Sequence, residues 1–180
     1  MSLSLTWVPV SSRPDLLAEP VLAAVQALPV EIRDTLEVVE IDPEHADTAV
    51  LVEQTGMDMK DMANCIVIAG ARAGEERVCA ALVLGHTRAD VNKSVRRLLD
   101  VRKCSFMPMD QAVGRTGMEY GGITPVGLPE GWPVLVDSRV VERDHVVIGS
   151  GLRRSKLRLP GSAAAKLAGA QVVEDLALEL

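Results

Sequence analysis

The chain has 180 residues, 48% of them hydrophobic, and a formal net charge of −6. That suffices for one core of ordinary domain size, and no run reaches the ~18 unbroken apolar residues of a membrane-spanning helix. Three cysteines without a CxxC pair and three scattered histidines argue against a disulfide framework and a metal site. Only Trp7, Phe106, Tyr120 and Trp132 are aromatic, so the core must be aliphatic, and stacking platforms for single-stranded nucleic acid are not expected. Cys65 and Cys79 lie in apolar runs and read as buried small hydrophobes in a reducing, cytoplasmic setting. The first residues lack the basic start and long apolar core of a signal peptide.

Residues 1–35 read as an N-terminal helical extension and residues 36–180 as the main domain. Ser12-Arg13-Pro14-Asp15 is a helix start, with a hydroxyl cap and proline in the first turn. Leu17, Val21, Leu22, Val25 and Leu28 recur at helical spacing, and Pro20 predicts a kink or two short helices. Residues 35–41 read as a strand closed by Asp42-Pro43. Asp47 or Thr48 then caps a helix that Gly56 stops. Residues 63–69 and 77–84 are apolar strands, expected to be central, joined by a turn over 70–76. Asp90 caps a helix with Val91, Val95, Leu98 and Leu99 on one face and Lys93, Arg96 and Arg97 opposite.

A short strand over 104–107 and a helix begun by Pro108 and Asp110 follow. Strands are expected over 132–137, 145–148 and 157–159. Pro160-Gly161-Ser162 begins an Ala-rich helix that Gly169 stops, and residues 171–173 form a last edge strand. Hairpins dominate the middle. The predicted class is α+β, with a mixed, mostly antiparallel sheet or partly open barrel and flanking helices, rather than a doubly wound parallel sheet.

Charge is unevenly spread. Residues 1–62 hold 3 Lys/Arg and 12 Asp/Glu, the remainder 16 and 13. Two basic stretches stand out, one on the helix after Asp90 and one comprising Arg153, Arg154, Lys156 and Arg158. They are either the first contacts of a phosphate-bearing partner or ordinary solvated faces. The densest glycine and proline run is Tyr120 to Pro129, YGGITPVGLP. Such a loop either presents backbone N–H groups to a ligand or connects a helix to a strand. Gly149-Ser150-Gly151 is a second glycine pivot. No G-x-S-x-G elbow, H-E-x-x-H, P-loop or dinucleotide fingerprint is present.

These features, in this order, resemble the aminoacyl-tRNA editing domain family, the YbaK-type proteins related to the insertion domain of bacterial prolyl-tRNA synthetases. The residues that carry the resemblance are Asp42-Pro43, the two central strands, Asp90 with Lys93, the loop Gly121-Gly122-Ile123-Thr124-Pro125-Val126-Gly127, the strand ending in Asp137, and Gly149-Ser150-Gly151-Leu152-Arg153-Arg154. It spans residues 36 to 175 and implies hydrolysis of a mischarged aminoacyl ester, with tRNA for proline as the partner and no cofactor or metal. Association with prolyl-tRNA synthetase and a homodimer are further partner expectations.

On that resemblance Gly121, Gly122 and Thr124 take the catalytic positions, through backbone N–H polarisation of the ester carbonyl. Asn64, Cys65, Ile123, Pro125, Gly127, Asp137, Gly149 and Gly151 take substrate-binding positions, and Lys93, Arg96, Arg97, Arg153 and Arg154 contact tRNA. Asp137 and Thr124 each also have a structural reading, as a strand terminator and in a loop turn. One departure stands out: many family members carry a lysine in the first central strand where this chain has Asn64. Asn64 then performs a weaker version of that role, another base such as Lys93 or Arg154 takes over, or the protein is a non-catalytic binding module on the same fold. His86 as a general base and Cys65 as a reactive thiol are further candidates.

Overall fold

The computed structural model describes residues 3–180, so residues 1–2 of the expected extension lie outside the described part. In chain order the first elements are β1 (Val8–Pro9), α1 (Glu19–Ala27), α2 (Val30–Arg33), β2 (Glu37–Glu40), α3 (Thr48–Thr55), β3 (Ala63–Arg72), β4 (Glu75–Leu84) and β5 (Thr87–Ala89). A wide-pitch helical turn, Val91–Val95, runs into α4 (Arg96–Leu98). Then come β6 (Cys104–Phe106), α5 (Met109–Thr116), β7 (Val134–Asp137), α6 (Ser138–Val141), β8 (Val146–Gly149), β9 (Ser155–Leu159), α7 (Gly161–Ala164), β10 (Ala170–Val173) and β11 (Ala177–Glu179).

The fold is α+β with mixed sheets, as the sequence predicts. Five strands run in the order β10-β7-β4-β3-β6, with β4 in the middle; β4–β7 and β7–β10 are parallel and the other pairs antiparallel. A second sheet, β1-β2-β9-β8, is antiparallel throughout. The described strands do not close into a barrel. The sheets meet at a single parallel bridge, Met62 with Val147, and then diverge. Farther along β3, pairing with β6 covers only Ile68 to Gly70, and Met107 N–H reaches Val67 O at 2.9 Å. Among the described residues the outer edge of β3 from Ala63 to Ile66 therefore has no strand partner, and this split positions the site.

Local chemistry accounts for the departures from expectation. The hairpin is tighter than predicted, because Ala73 and Gly74, at φ 53° and 83°, form a two-residue turn of the kind that matches strand twist. Pro20 causes no kink; it lies in the first turn of α1, where a missing N–H costs nothing. After Asp90, Val95 N–H bonds to Asp90 O at 3.0 Å, a span of five residues. That widening rotates Leu98 out of the expected apolar face, and it is exposed. The Ala-rich helix is a single turn, α7. Strands β1, β5 and β11 were not legible.

The N-terminal segment is built into the main core. Val10, Leu16, Leu17, Ala18, Val21 and Val25 share one buried cluster with Leu82, Val134, Ile148 and Leu157. Ala18 N–H bonds to Ser150 O at 3.1 Å, and Ser155 Oγ bonds to Leu16 O at 2.6 Å. The acidic N-terminal part also answers the basic run. Arg154 lies within 3.6 Å of Glu40 and 3.9 Å of Asp15, and Arg158 is 2.6 Å from Glu37 and stacks on Trp7. Part of the sequence's charge asymmetry is thus an internal complementarity between Asp15, Glu37 and Glu40 and the second basic stretch.

Candidate functional site

A cavity of about 400 Å³ opens where the two sheets part. Its floor is the unpartnered edge of β3, including Asn64 and Cys65. One wall is the turn before α3, with Ala46, Asp47 and Thr48. A second wall is Gly121, Ile123 and α5, and a third is Gly149 with Arg153 and Lys156.

Two glycine segments mate to form part of this wall. Gly151 N–H donates to Gly122 O at 2.7 Å. A Cβ on Gly149 would stand 2.4 Å from Gly122 O, so only glycine lets the loop backbone lie on β8. Behind the loop, Gly127 (φ 84°) has Pro20 O where a Cβ would go, at 2.4 Å. The N-terminal segment therefore buttresses the loop from the side away from the cavity.

The expected residues separate into two groups. Asn64, Cys65, Gly121, Ile123, Gly149 and Arg153 line the cavity. Gly122, Thr124, Pro125, Gly127, Asp137, Gly151, Lys93, Arg96, Arg97 and Arg154 do not. Thr124 is fully buried, and its Oγ1 has no hydrogen-bond partner among the described residues. Pro125 and Gly127 line a different, mostly apolar hollow behind the loop. Asp137 caps α6: its carboxylate accepts from Arg139 N–H at 3.0 Å, from the Arg139 guanidinium at 2.8 Å and from Ala177 N–H at 2.9 Å. Its structural reading accounts for all of these contacts. Lys93, Arg96 and Arg97 are exposed, on a segment that packs through Val95 and Leu99 against Ile68, Cys79 and Val83. His86 is also outside the cavity.

The cavity's chemistry is modest in number and specific in kind. Thr48 Oγ1 donates to Asn64 Oδ1 at 2.7 Å, which leaves the Asn64 NH₂ as a donor for a ligand. Burial pushes the Cys65 thiol up to about 12, so it is not a nucleophile at neutral pH. Arg153 is held over Tyr120, 5.6 Å from the ring centre, and its guanidinium donates to Tyr120 O at 3.1 Å and Pro43 O at 3.0 Å. Phe106 and Tyr120, the chain's single Phe and single Tyr, are 62% and 56% exposed on the cavity rim. The scarcity of aromatics thus conceals their placement.

Sequence reasoning missed the cavity's most unusual group. Lys156, on β9, is only 5% exposed, and its ammonium donates to Ala46 O at 2.8 Å. Burial pushes its pKa down to about 8; Asp47 opposes that shift and Arg153 adds to it. In the sequence it is one of four bases in six residues. Only its register opposite Val39 and Gly149, beneath the turn at residues 43–47, separates it from its neighbours.

The profile of the family described as the aminoacyl-tRNA editing domain matches residues 42–167. The chain belongs to that family. The match runs from the Asp42-Pro43 turn to the end of the α7 region and includes every cavity wall. Among solved structures, this editing domain superposes on a proposed trans-editing enzyme for prolyl tRNA synthetase with a TM-score of 0.72 and 24% identity, over 87% of this chain and 94% of that one. A hypothetical protein matches at a TM-score of 0.70 and 22% identity, over 80% and 92%. A scaffold protein used for computational epitope grafting matches at 0.71 and 24%, over 87% and 95%. At these identities the likeness establishes a shared fold.

Proposed function

We propose that this editing domain hydrolyses the ester of a mischarged aminoacyl-tRNA, with tRNA for proline as the leading substrate. The observation that carries the reading is the convergence of the Gly121–Ile123 loop, Gly149 and the unpartnered edge of β3 on one cavity. Backbone N–H groups at such an edge are fixed donors for a carbonyl oxygen that gains charge. In the step, water adds to the ester carbonyl carbon and the carbonyl oxygen becomes an oxyanion. Collapse expels the ribose oxygen, which takes the proton that water gives up, leaving a free amino acid and the tRNA hydroxyl. No side-chain nucleophile is required, in keeping with the unreactive Cys65. Phe106 and Tyr120 present rings to the terminal base at the rim.

The test is incubation of the purified protein with tRNAs for proline charged with alanine, cysteine or serine, following ester loss. Release well above the uncatalysed rate is expected; none on any charged tRNA would refute the proposal. A second reading, non-catalytic binding of aminoacyl-tRNA, is favoured by Asn64, which brings no charge to the floor of the cavity. Salt-sensitive tRNA binding without turnover would select it.

A further inference from the structure

Lys156 is a buried ammonium that no carboxylate of the described residues touches, although Asp47 favours its charged form from a distance. Among the described residues it makes no ion pair. Its one protein partner is Ala46 O at 2.8 Å, and an ammonium has three donors. The acid next in sequence to that carbonyl, Asp47, caps α3 through Oδ1, which accepts from Ala49 N–H at 2.9 Å and Val50 N–H at 3.3 Å; it favours the Lys156 charge from beyond salt-bridge distance. Holding a desolvated cation without a direct ion pair is costly, and an anionic ligand in the cavity would complete the pair. Lys156 also lines the same cavity as Asn64 and Arg153.

We infer that Lys156 is the residue that holds an anionic oxygen of the substrate, so that β9 supplies the cavity's charge and β3, with Asn64, only a neutral donor. This rests on the editing reading for the substrate's identity, but not for the anion-holding role itself. Two oxygens of an aminoacyl-tRNA have the required chemistry: a phosphodiester oxygen near the 3′ end, and the oxyanion formed when the ester is attacked. Arg153 is a poorer candidate for the role, because it is only partly buried and two carbonyls, Tyr120 O and Pro43 O, already fix its guanidinium, whereas the Lys156 ammonium is desolvated.

The experiment compares wild type with Lys156→Met, Lys156→Arg and the double variant Asn64→Lys/Lys156→Met. It uses ester hydrolysis, and binding of the trinucleotide CpCpA by calorimetry at several salt concentrations. Lys156→Met is expected to lose roughly ten- to a hundredfold in kcat/KM, the worth of one charge-assisted hydrogen bond. Lys156→Arg should keep part of it, and the double variant, with its ammonium returned from β3, should recover part. A loss in KM and in CpCpA affinity identifies the phosphodiester; a loss in kcat alone identifies the oxyanion. Thermal unfolding separates a folded, inactive variant from a collapsed one. If Lys156→Met does not fold, wild-type CpCpA affinity decides by weakening as pH rises through the lysine's titration, an effect that Lys156→Arg abolishes. Hydrolysis by wild type that is unchanged in Lys156→Met overturns the inference and leaves the editing reading standing. Lys156-dependent CpCpA binding without hydrolysis of any ester does the reverse. CpCpA binding indifferent to residue 156, with no hydrolysis, overturns both.

Discussion

Two buried charges in this molecule look alike in the sequence and differ in every physical respect. Asp137, 1% exposed, is saturated: a guanidinium and two backbone N–H groups satisfy its carboxylate, and Arg139 ties it to Ala177 O and Glu179. Lys156 has one carbonyl and a cavity. A buried charge whose every bond is internal holds structure together, whereas one with free donors facing a cavity awaits a ligand.

The largest expected effect is on the saturated side. Asp137→Ala leaves the Arg139 and Ala177 backbone N–H groups without their acceptor and Arg139 with Glu179 as its remaining carboxylate, and should cost about 2–4 kcal/mol, read by denaturant unfolding; a loss below ~1 kcal/mol would break the comparison. On the cavity side, Lys156 carries its stability cost in a defined window. Its folded pKa of about 8 lies below the ordinary 10.5, so between these values the unfolded chain binds more protons. This group alone then makes stability rise with pH, by roughly 3 kcal/mol at 1.36 kcal/mol per unit. Cys65 and Cys79, pushed up to about 12 by burial, act in the opposite direction. The readout is therefore the difference between wild type and Lys156→Met: the variant is expected to be the more stable below pH 8, with the gap closing by pH 10.5. A variant less stable than wild type at pH 7 would make Lys156 a structural residue like Asp137.

Gly149→Ala should follow, at about 1–3 kcal/mol with loss of hydrolysis, because its Cβ displaces the loop carbonyl of Gly122. Cys65 sharpens the contrast from a third direction. Its thiol should resist alkylation at pH 8 in the folded protein, and Cys65→Ala should retain turnover. The smallest effect belongs to the exposed helix. Arg96→Ala/Arg97→Ala should leave CpCpA binding unchanged, and any tRNA contact would appear only as a reduction of one or two units in the salt slope with full-length tRNA.

Much of the fold was legible for local reasons. Apolar continuity marked β3 and β4, and Asp47 and Gly56 delimited α3 as a cap and stop should. Three of the shortest strands were not legible: β1 has two residues and β5 and β11 three each, too few to show an alternating pattern. The site was half legible. The glycine motifs announced the loop, but Thr124 and Gly122 look the same in sequence as Gly121 and Ile123, and only the loop's path turns the latter two to the cavity.

The sequence by itself determined the class, the family and the glycine loops, because periodicity, caps and glycine spacing are properties of neighbouring residues. The tertiary structure alone decided which charge the cavity holds. Arg153, Arg154, Lys156 and Arg158 are adjacent bases on one short stretch. Lys156 and Arg158 share a face of β9, but the cover from residues 43–47 buries Lys156 beside Ala46, while Asp15, Glu40 and Glu37 engage Arg154 and Arg158 nearer the surface. Whether a lysine is solvated or poised depends on what the rest of the chain lays over it, which no local pattern encodes.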